Sequence, residues 1–148
     1  MDGQARMLFF PPGVRKATRA DVFHMISVAR ESYPEWQCDW GSVSAWLSQN
    51  TENPDIFACV ARGAATISMF HEWFWGGPKC RDVTVLFLAG PRHPWGVVGC
   101  LRATVEWAKS RGAHTLKMDA ATGIDLAPLV VRLGFPVQHT AAYSVRLR

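Results

Sequence analysis

The sequence predicts an α+β fold, and three observations predict it. An apolar run at residues 82–89 is broken by Gly90, Pro91 and Pro94, then followed by a long helical repeat and a second strand at 115–119. Short joints between strand, helix and strand make a βαβ unit with parallel strands and a right-handed crossover. Upstream, apolar stretches at 56–60 and 64–70 meet at Arg62 and Gly63, whose glycine suits a tight hairpin, and lead into that unit as a three-stranded meander. Helical patterns occur both before the meander and within the second half, giving the mixed order β, α, α, β, β, β, α, β, α, β, β.

Each element has its own reason. An arm at 1–13 precedes a first short strand at 14–17, and Thr18 to Asp21 has the reciprocal spacing that caps a helix start. The first helix then shows Val22, Ile26 and Ala29 on one face, widened by Phe23 and Met25, and Pro34 after Tyr33 ends it. An aromatic segment from Tyr33 to Trp40 leads to a second helix at 42–49 with Val43, Trp46 and Leu47 inward. Asn53, Pro54 and Asp55 break the chain before the hairpin, whose second strand can run on through Trp75 until Gly76, Gly77 and Pro78 turn it. In the central helix Val97, Leu101, Val105 and Ala108 recur at helical spacing opposite Arg102, Glu106 and Lys109, and Arg111 with Gly112 stops the pattern. Thr122 to Asp125 offer caps for a short last helix with Leu126, Leu129, Val130 and Leu133 on one face, Pro128 in its first turn and Gly134 just past its end. Two closing strands, 137–139 and 142–147, finish the chain.

Size and composition narrow the function classes. A chain of 148 residues supports one domain, 14–148, with a real core. Hydrophobic residues are 49% and charged residues 19%, and no apolar run approaches the roughly 20 residues that a bilayer crossing needs, so a soluble protein without a membrane partner is expected. The apolar residues 7–10 run into Pro11 and Pro12 without the pattern of a secretion signal, which points to the cytoplasm. The net charge of +4 is dispersed, so it helps an anionic ligand but gives nucleic-acid binding no support. Cys38, Cys59, Cys80 and Cys100 form no C-x-x-C pair, which excludes the usual zinc spacing and reads as buried or idle thiols; no metal is expected.

The loop between residues 90 and 97 carries the functional signal. It sits at the carboxyl end of its strand and the amino end of its helix, where unpaired N–H groups and the helix dipole favour an anion such as a phosphate. Carboxylates and a histidine near that strand are candidate proton acceptors: Glu72 on the neighbouring strand, Asp82 at the strand start and His93 in the loop.

The stretch 99–113, the strand after it, the run Leu129 to Phe135 ending in Leu-Gly-Phe, and Tyr143 to Leu147 together resemble the GNAT superfamily of acyl-CoA-dependent N-acyltransferases. The resemblance covers nearly the whole chain in element order. It implies a mixed αβα sandwich with about seven strands, four helices and splayed central strands. It also implies acetyl-CoA, or another acyl-CoA, as cosubstrate and an amine as acceptor, and it allows a homodimer. In the pyrophosphate loop of the resemblance, of pattern Q/R-x-x-G-x-G/A, Arg92 fits the first position; Trp95 and Val97 stand at the two glycine positions, with Gly96 between them and Gly99 beyond. The cosubstrate site so implied comprises Phe87, Leu88 and Ala89 on the strand, with a bulge that pairs with the pantetheine, and Arg92, His93, Trp95, Gly96, Val97 and Gly99 in the loop and helix. A main-chain N–H near Leu88 or Ala89 would hold the thioester oxygen. Val130 stands where the resemblance places a thiolate-protonating tyrosine, which leaves Tyr143 as the substitute acid and Glu72 or Asp82 as base. Trp36, Trp40, Trp46, Trp73 and Trp75 fall in the segments that border the acceptor in such folds, where an indole face suits a flat ring or a cation. Two other readings stand beside the N-acetyltransferase: a GNAT-shaped interaction or structural module without activity, and a GNAT-like enzyme acting on a nucleobase.

Overall fold

The hairpin and the βαβ unit share one sheet in the computed structural model, which describes residues 10–34, 37–74, 76–77, 80–90, 92–118, 127–138 and 145. Strands β1 (Arg15–Lys16), β2 (Ile56–Ala61), β3 (Ala64–Glu72), β4 (Arg81–Ala89) and β5 (Thr115–Met118) lie across it in that order. Every pairing is antiparallel except that of β4 with β5, whose parallel register follows from the helical crossover between them. Five described strands stand where about seven were expected: Val137, Gln138 and Val145 belong to no strand, and the rest of the closing segments, Tyr143 included, lies outside the described residues.

Among the described residues, helices α1 (Val22–Ser32), α2 (Trp40–Asn50) and α3 (Pro94–Ser110) pack on the sheet or on one another, and α4 (Ala127–Arg132) follows β5 in the chain. The start of α1 is tied down as the Thr18 to Asp21 spacing predicts. Asp21 Oδ2 accepts the Thr18 N–H at 2.8 Å, and the Arg15 guanidinium grips both carboxylate oxygens at 2.7 and 2.6 Å. That grip outweighs the effect of burial and holds the Asp21 carboxyl at a pKa of about 2. Helix α2 begins earlier than its apolar pattern suggests because Asp39 caps it, accepting the Gly41 and Ser42 N–H groups at 3.0 and 3.2 Å. Past α4, Gly134 takes φ +86°, the left-handed turn expected of a residue just beyond a helix end.

The core lies on both faces of the sheet. On one, α3 packs Cys100, Ala103 and Trp107 against Phe57, Cys59, Ala64 and Val83, with the Trp107 and Phe57 rings stacked 5.0 Å apart. On the other, Val22 and Met25 of α1 and Leu47 of α2 pack against Ile56, Ala58, Ala65 and Ile67. This is the expected αβα sandwich.

Three details differ from the periodicity reading. The buried stripe of α3 is rotated toward Cys100, Ala103, Thr104 and Trp107, leaving Val105 only half-buried. Small side chains let the helix approach the sheet, and Thr104 meets the need of its buried hydroxyl by donating to the Cys100 carbonyl at 2.9 Å. Phe23 and Trp46 were expected inward; Phe23 instead lies on the outer face of α1 and is 86% exposed, while Trp46 is partly exposed beside the buried Leu47. Strand β3 stops at Glu72 rather than running on through the tryptophans, because the Trp73 N–H turns to the Cys80 carbonyl and closes the β3–β4 connection. All four cysteines are free: Cys38 is exposed, Cys80 is buried, and the buried Cys59 and Cys100 face each other across β2 and α3.

Candidate active site

Strand β4 has two unlike halves. Its first half, residues 82–85, is paired on both sides, with β3 and with β5 from Asp82 opposite Thr115 to Val85 opposite Met118. The register with β3 then slips: Val85 faces Ser68 but Phe87 faces Ile67, so Leu86 is an extra residue and forms a bulge. Residues 86–89 keep β3 as neighbour but have no described partner on the β5 side. The Phe87 carbonyl accepts the Thr66 hydroxyl at 2.8 Å, which aims it at β3, and the Leu88 carbonyl one residue on turns the other way. There it accepts the hydroxyl of Tyr33 at 2.6 Å. Tyr33 comes from the end of α1 and its ring packs against Phe87 at 5.8 Å; burial pushes its phenol above the ordinary value, so it remains a donor.

Beyond β4 the chain turns into α3. Pro94 occupies the first helical position and has no N–H, and His93 makes no side-chain cap, so the main-chain donors at this helix start are those of Trp95 and Gly96. The Trp95 indole swings out to solvent, 85% exposed, and leaves the helix start uncovered. The two glycines serve close approach: a Cβ on Gly96 would meet the Ala64 Cβ at 2.9 Å, and one on Gly99 would meet Val14 Cγ2 at 2.6 Å. Helix α3 can therefore press its first turns against the β2–β3 hairpin. The His93 ring likewise lies directly on Gly63 at the hairpin tip. A cavity of about 320 Å³ opens here, lined among others by Pro12, Arg62, Arg92, His93, Trp95 and Gly96. Arg92 reaches back to Glu31 of α1 at 2.7 Å, so Glu31 and Tyr33 fasten the end of α1 to both sides of this corner.

The other end of β4 holds the carboxylates. Asp82 is 5% exposed, and its Oδ2 accepts the Lys117 ammonium at 2.7 Å and the Trp73 indole N–H at 2.8 Å. Burial alone would push this carboxyl up, but Lys117, Trp73 and the nearby His71 outweigh it and hold it below the usual aspartate range. Glu72 points to solvent and pairs with Arg81 at 3.3 Å.

The predicted residues thus fall into two groups. Arg92, His93, Trp95 and Gly96 meet at one cavity, with Phe87, Leu88, Ala89 and Val97 next to it in the chain. Asp82 and Glu72 sit at the opposite end of the strand, with Asp82 four residues before the bulge, roughly 13 Å along it. Sequence reading missed Glu31, Tyr33, Arg62 and Lys117. Lys117 was within reach of the parallel register, which sets it opposite Thr84, but Tyr33 and Leu88 are 55 positions apart and share no local pattern.

No family profile matches the chain, and no curated protein matches it in sequence. Solved structures do match it in shape. The aminoglycoside antibiotic 6'-N-acetyltransferase of Acinetobacter haemolyticus superposes with TM-score 0.68 over 90% of this chain and 97% of its own, at 16% identity. Glucosamine-6-phosphate N-acetyltransferase of Arabidopsis thaliana gives TM-score 0.68 over 89% and 96%, at 11% identity. A GCN5-related N-acetyltransferase of Ralstonia eutropha gives 0.59 over 89% and 97%, at 18% identity. The fold is the GNAT fold. At such low identity the agreement establishes architecture alone.

Proposed function

We propose that the chain is an acyl-CoA-dependent N-acyltransferase that moves an acetyl group from coenzyme A to an amine. The observation that carries this reading is the bulge at Leu86 and the stretch of β4 after it, which pairs with β3 alone among the described residues and runs directly to a helix start where the Trp95 and Gly96 N–H groups have no described partner and Arg92 adds its charge. The residues present fit the cosubstrate. Arg92 and the Trp95 and Gly96 N–H groups suit a diphosphate, and the outward main chain of residues 87–89 suits an extended amide arm. His93, Val97 and Gly99 hold the helix start against the hairpin and Val14.

When bound, the cosubstrate supplies a thioester carbonyl as electrophile. Around it, a main-chain N–H near Leu88 or Ala89 stabilises the charge that develops on oxygen. We assign the base that takes the proton from the acceptor's ammonium to Asp82 or Glu72, which from the far end of β4 acts through intervening water, and the acid that returns one to the leaving thiolate to Tyr143. A carboxylate held below its usual range is a weak base, so alignment of the amine and exclusion of water supply most of the acceleration.

Thermal melting with and without acetyl-CoA tests the reading. Ligand at about 100 times its dissociation constant adds roughly 2.7 kcal/mol, a clear rise in Tm. Release of free thiol with an aminoglycoside or glucosamine 6-phosphate as probe acceptor then tests transfer. A second reading, an interaction module without activity, draws on Glu31, which already occupies the Arg92 guanidinium. No rise in Tm at millimolar acetyl-CoA selects it.

A further inference from the structure

The cavity between the hairpin tip and α3 joins a cation without a partner to an indole left in water. No acidic side chain is among the residues that line it. Arg62 enters it from the β2–β3 turn, Arg92 from the loop before α3 and Trp95 from the first turn of that helix. Arg92 is paired with Glu31, whereas the exposed Arg62 side chain makes no hydrogen bond or ion pair among the described residues. A second cavity of about 250 Å³ shares Arg62 on its other side, and the one carboxylate there, Asp21, is already gripped by Arg15. Arg62 is therefore neutralised from neither side. Its backbone is nonetheless fixed against the helix: the His93 ring lies on Gly63, and a Cβ on Gly96 would stand 3.2 Å from the Arg62 carbonyl oxygen. The Trp95 indole, largely exposed, stacks on no other ring among the described residues. An open indole face beside an unpaired guanidinium suits a flat base that carries a phosphate.

We propose that Trp95 and Arg62 bind the adenosine end of the acyl-CoA, the indole stacking on adenine and the guanidinium pairing with the phosphate on the ribose. The proposal rests on the acyltransferase reading above and names the residues that select the donor. Coenzyme A carries a third phosphate and a purine beyond its diphosphate, and these two groups distinguish it from shorter pantetheine thioesters. A planar guanidinium meets a phosphate with two parallel N–H donors, so Arg62 reads the group by shape as well as by charge. Because Arg62 comes from the hairpin and Arg92 from the loop, contact with the ribose phosphate is separable from contact with the diphosphate. The bulky residue at position 95 thus has a use of its own at the mouth of the site.

The test is calorimetric titration of the full chain with acetyl-CoA and with acetyl-dephospho-CoA, which lacks only the ribose phosphate. The expected result is that acetyl-CoA binds about tenfold more tightly, the scale of one charged contact. R62A removes that preference: it weakens acetyl-CoA about tenfold and leaves the dephospho form unchanged, which also shows that the variant is folded. R62K keeps part of the preference. W95A weakens both thioesters alike, by about tenfold, and leaves acetyl-pantetheine, which has no adenine, unaffected. Adenosine 3',5'-bisphosphate displaces acetyl-CoA from the parent chain, and 5'-AMP does so less well. Equal affinity of the parent chain for the two thioesters, or an R62A variant that loses both equally, overturns the role of Arg62. A W95A variant that binds both as the parent does overturns the role of Trp95. In each of those cases acetyl-CoA still binds the parent chain and the acyltransferase reading stands; no binding of either thioester at millimolar concentration rejects both.

Discussion

The two halves of β4 differ in make-up and in what flanks them: residues 82–85 alternate polar and apolar side chains, whereas residues 86–89 are all apolar. Residues 82–85 have a strand on either side and carry Val83 fully buried, while residues 86–89 have β3 on one side and Tyr33 reaching to Leu88 on the other. One inserted residue, Leu86, separates them. Sheet hydrogen bonding holds the first half on both sides; in the second, the Leu88 carbonyl turned away from β3 accepts the Tyr33 hydroxyl. The difference teaches that one extra residue changes how a strand presents its main chain, so that a side chain from the end of α1 can reach a carbonyl of the sheet.

The strongest way to break this contrast is to delete Leu86. Without it Val85 and Phe87 become consecutive opposite Ser68 and Ile67, so the bulge is lost while residues 87–89 keep their partners and faces, and the local twist must relax at a cost of about 1–3 kcal/mol. Urea melts read the loss, and acetyl-CoA should no longer raise Tm. A smaller effect comes from the charge that serves the open half. R92A is expected to weaken acetyl-CoA binding about tenfold by loss of one charged contact, with Tm of the free protein nearly unchanged because the Glu31 pair is exposed.

Acid should loosen the attachments on which both halves depend. Asp21, which ties down the start of α1, titrates in the folded chain at about 2, below its unfolded value. Its contribution is therefore present above the ordinary aspartate range and is lost as pH falls through about 2, a change of roughly 2 kcal/mol. Asp82 in the doubly paired half is shifted in the same direction and adds to the same acid loss. Melts between pH 5 and pH 2 measure this, and D21N should flatten the curve. The smallest expected effect is that of Y33F, which removes one hydrogen bond from Leu88 and costs about 1 kcal/mol.

Much of the fold was legible because its signals are local. The Thr18 to Asp21 cap, the glycine turn at residue 63 and the βαβ unit each declare themselves within a few residues. The α3 stripe was read slightly off axis, since Cys100 and Thr104 do not look apolar enough to mark a core until packing shows them at zero exposure. Phe23 and Trp46 misled for the opposite reason: hydrophobic character does not force burial when the apolar face is already filled by Met25 and Leu47. At the candidate site, the helix start with Arg92 and His93 was legible from the loop. The contacts of Tyr33 with Leu88, Glu31 with Arg92 and Lys117 with Asp82 were not, because each joins segments that only the folded sheet brings together.

The facing sulfurs of Cys59 and Cys100 give the chain a built-in clock. Neither has any exposed surface, and the bond to Cys100 together with burial pushes the Cys59 thiol far up, so an alkylating reagent cannot reach or activate them while α3 stays on β2. Cys38 is open to the same reagent from the start. The lag before Cys59 and Cys100 react, apart from Cys80 in the β3–β4 connection, then times how often the helix lifts from the sheet.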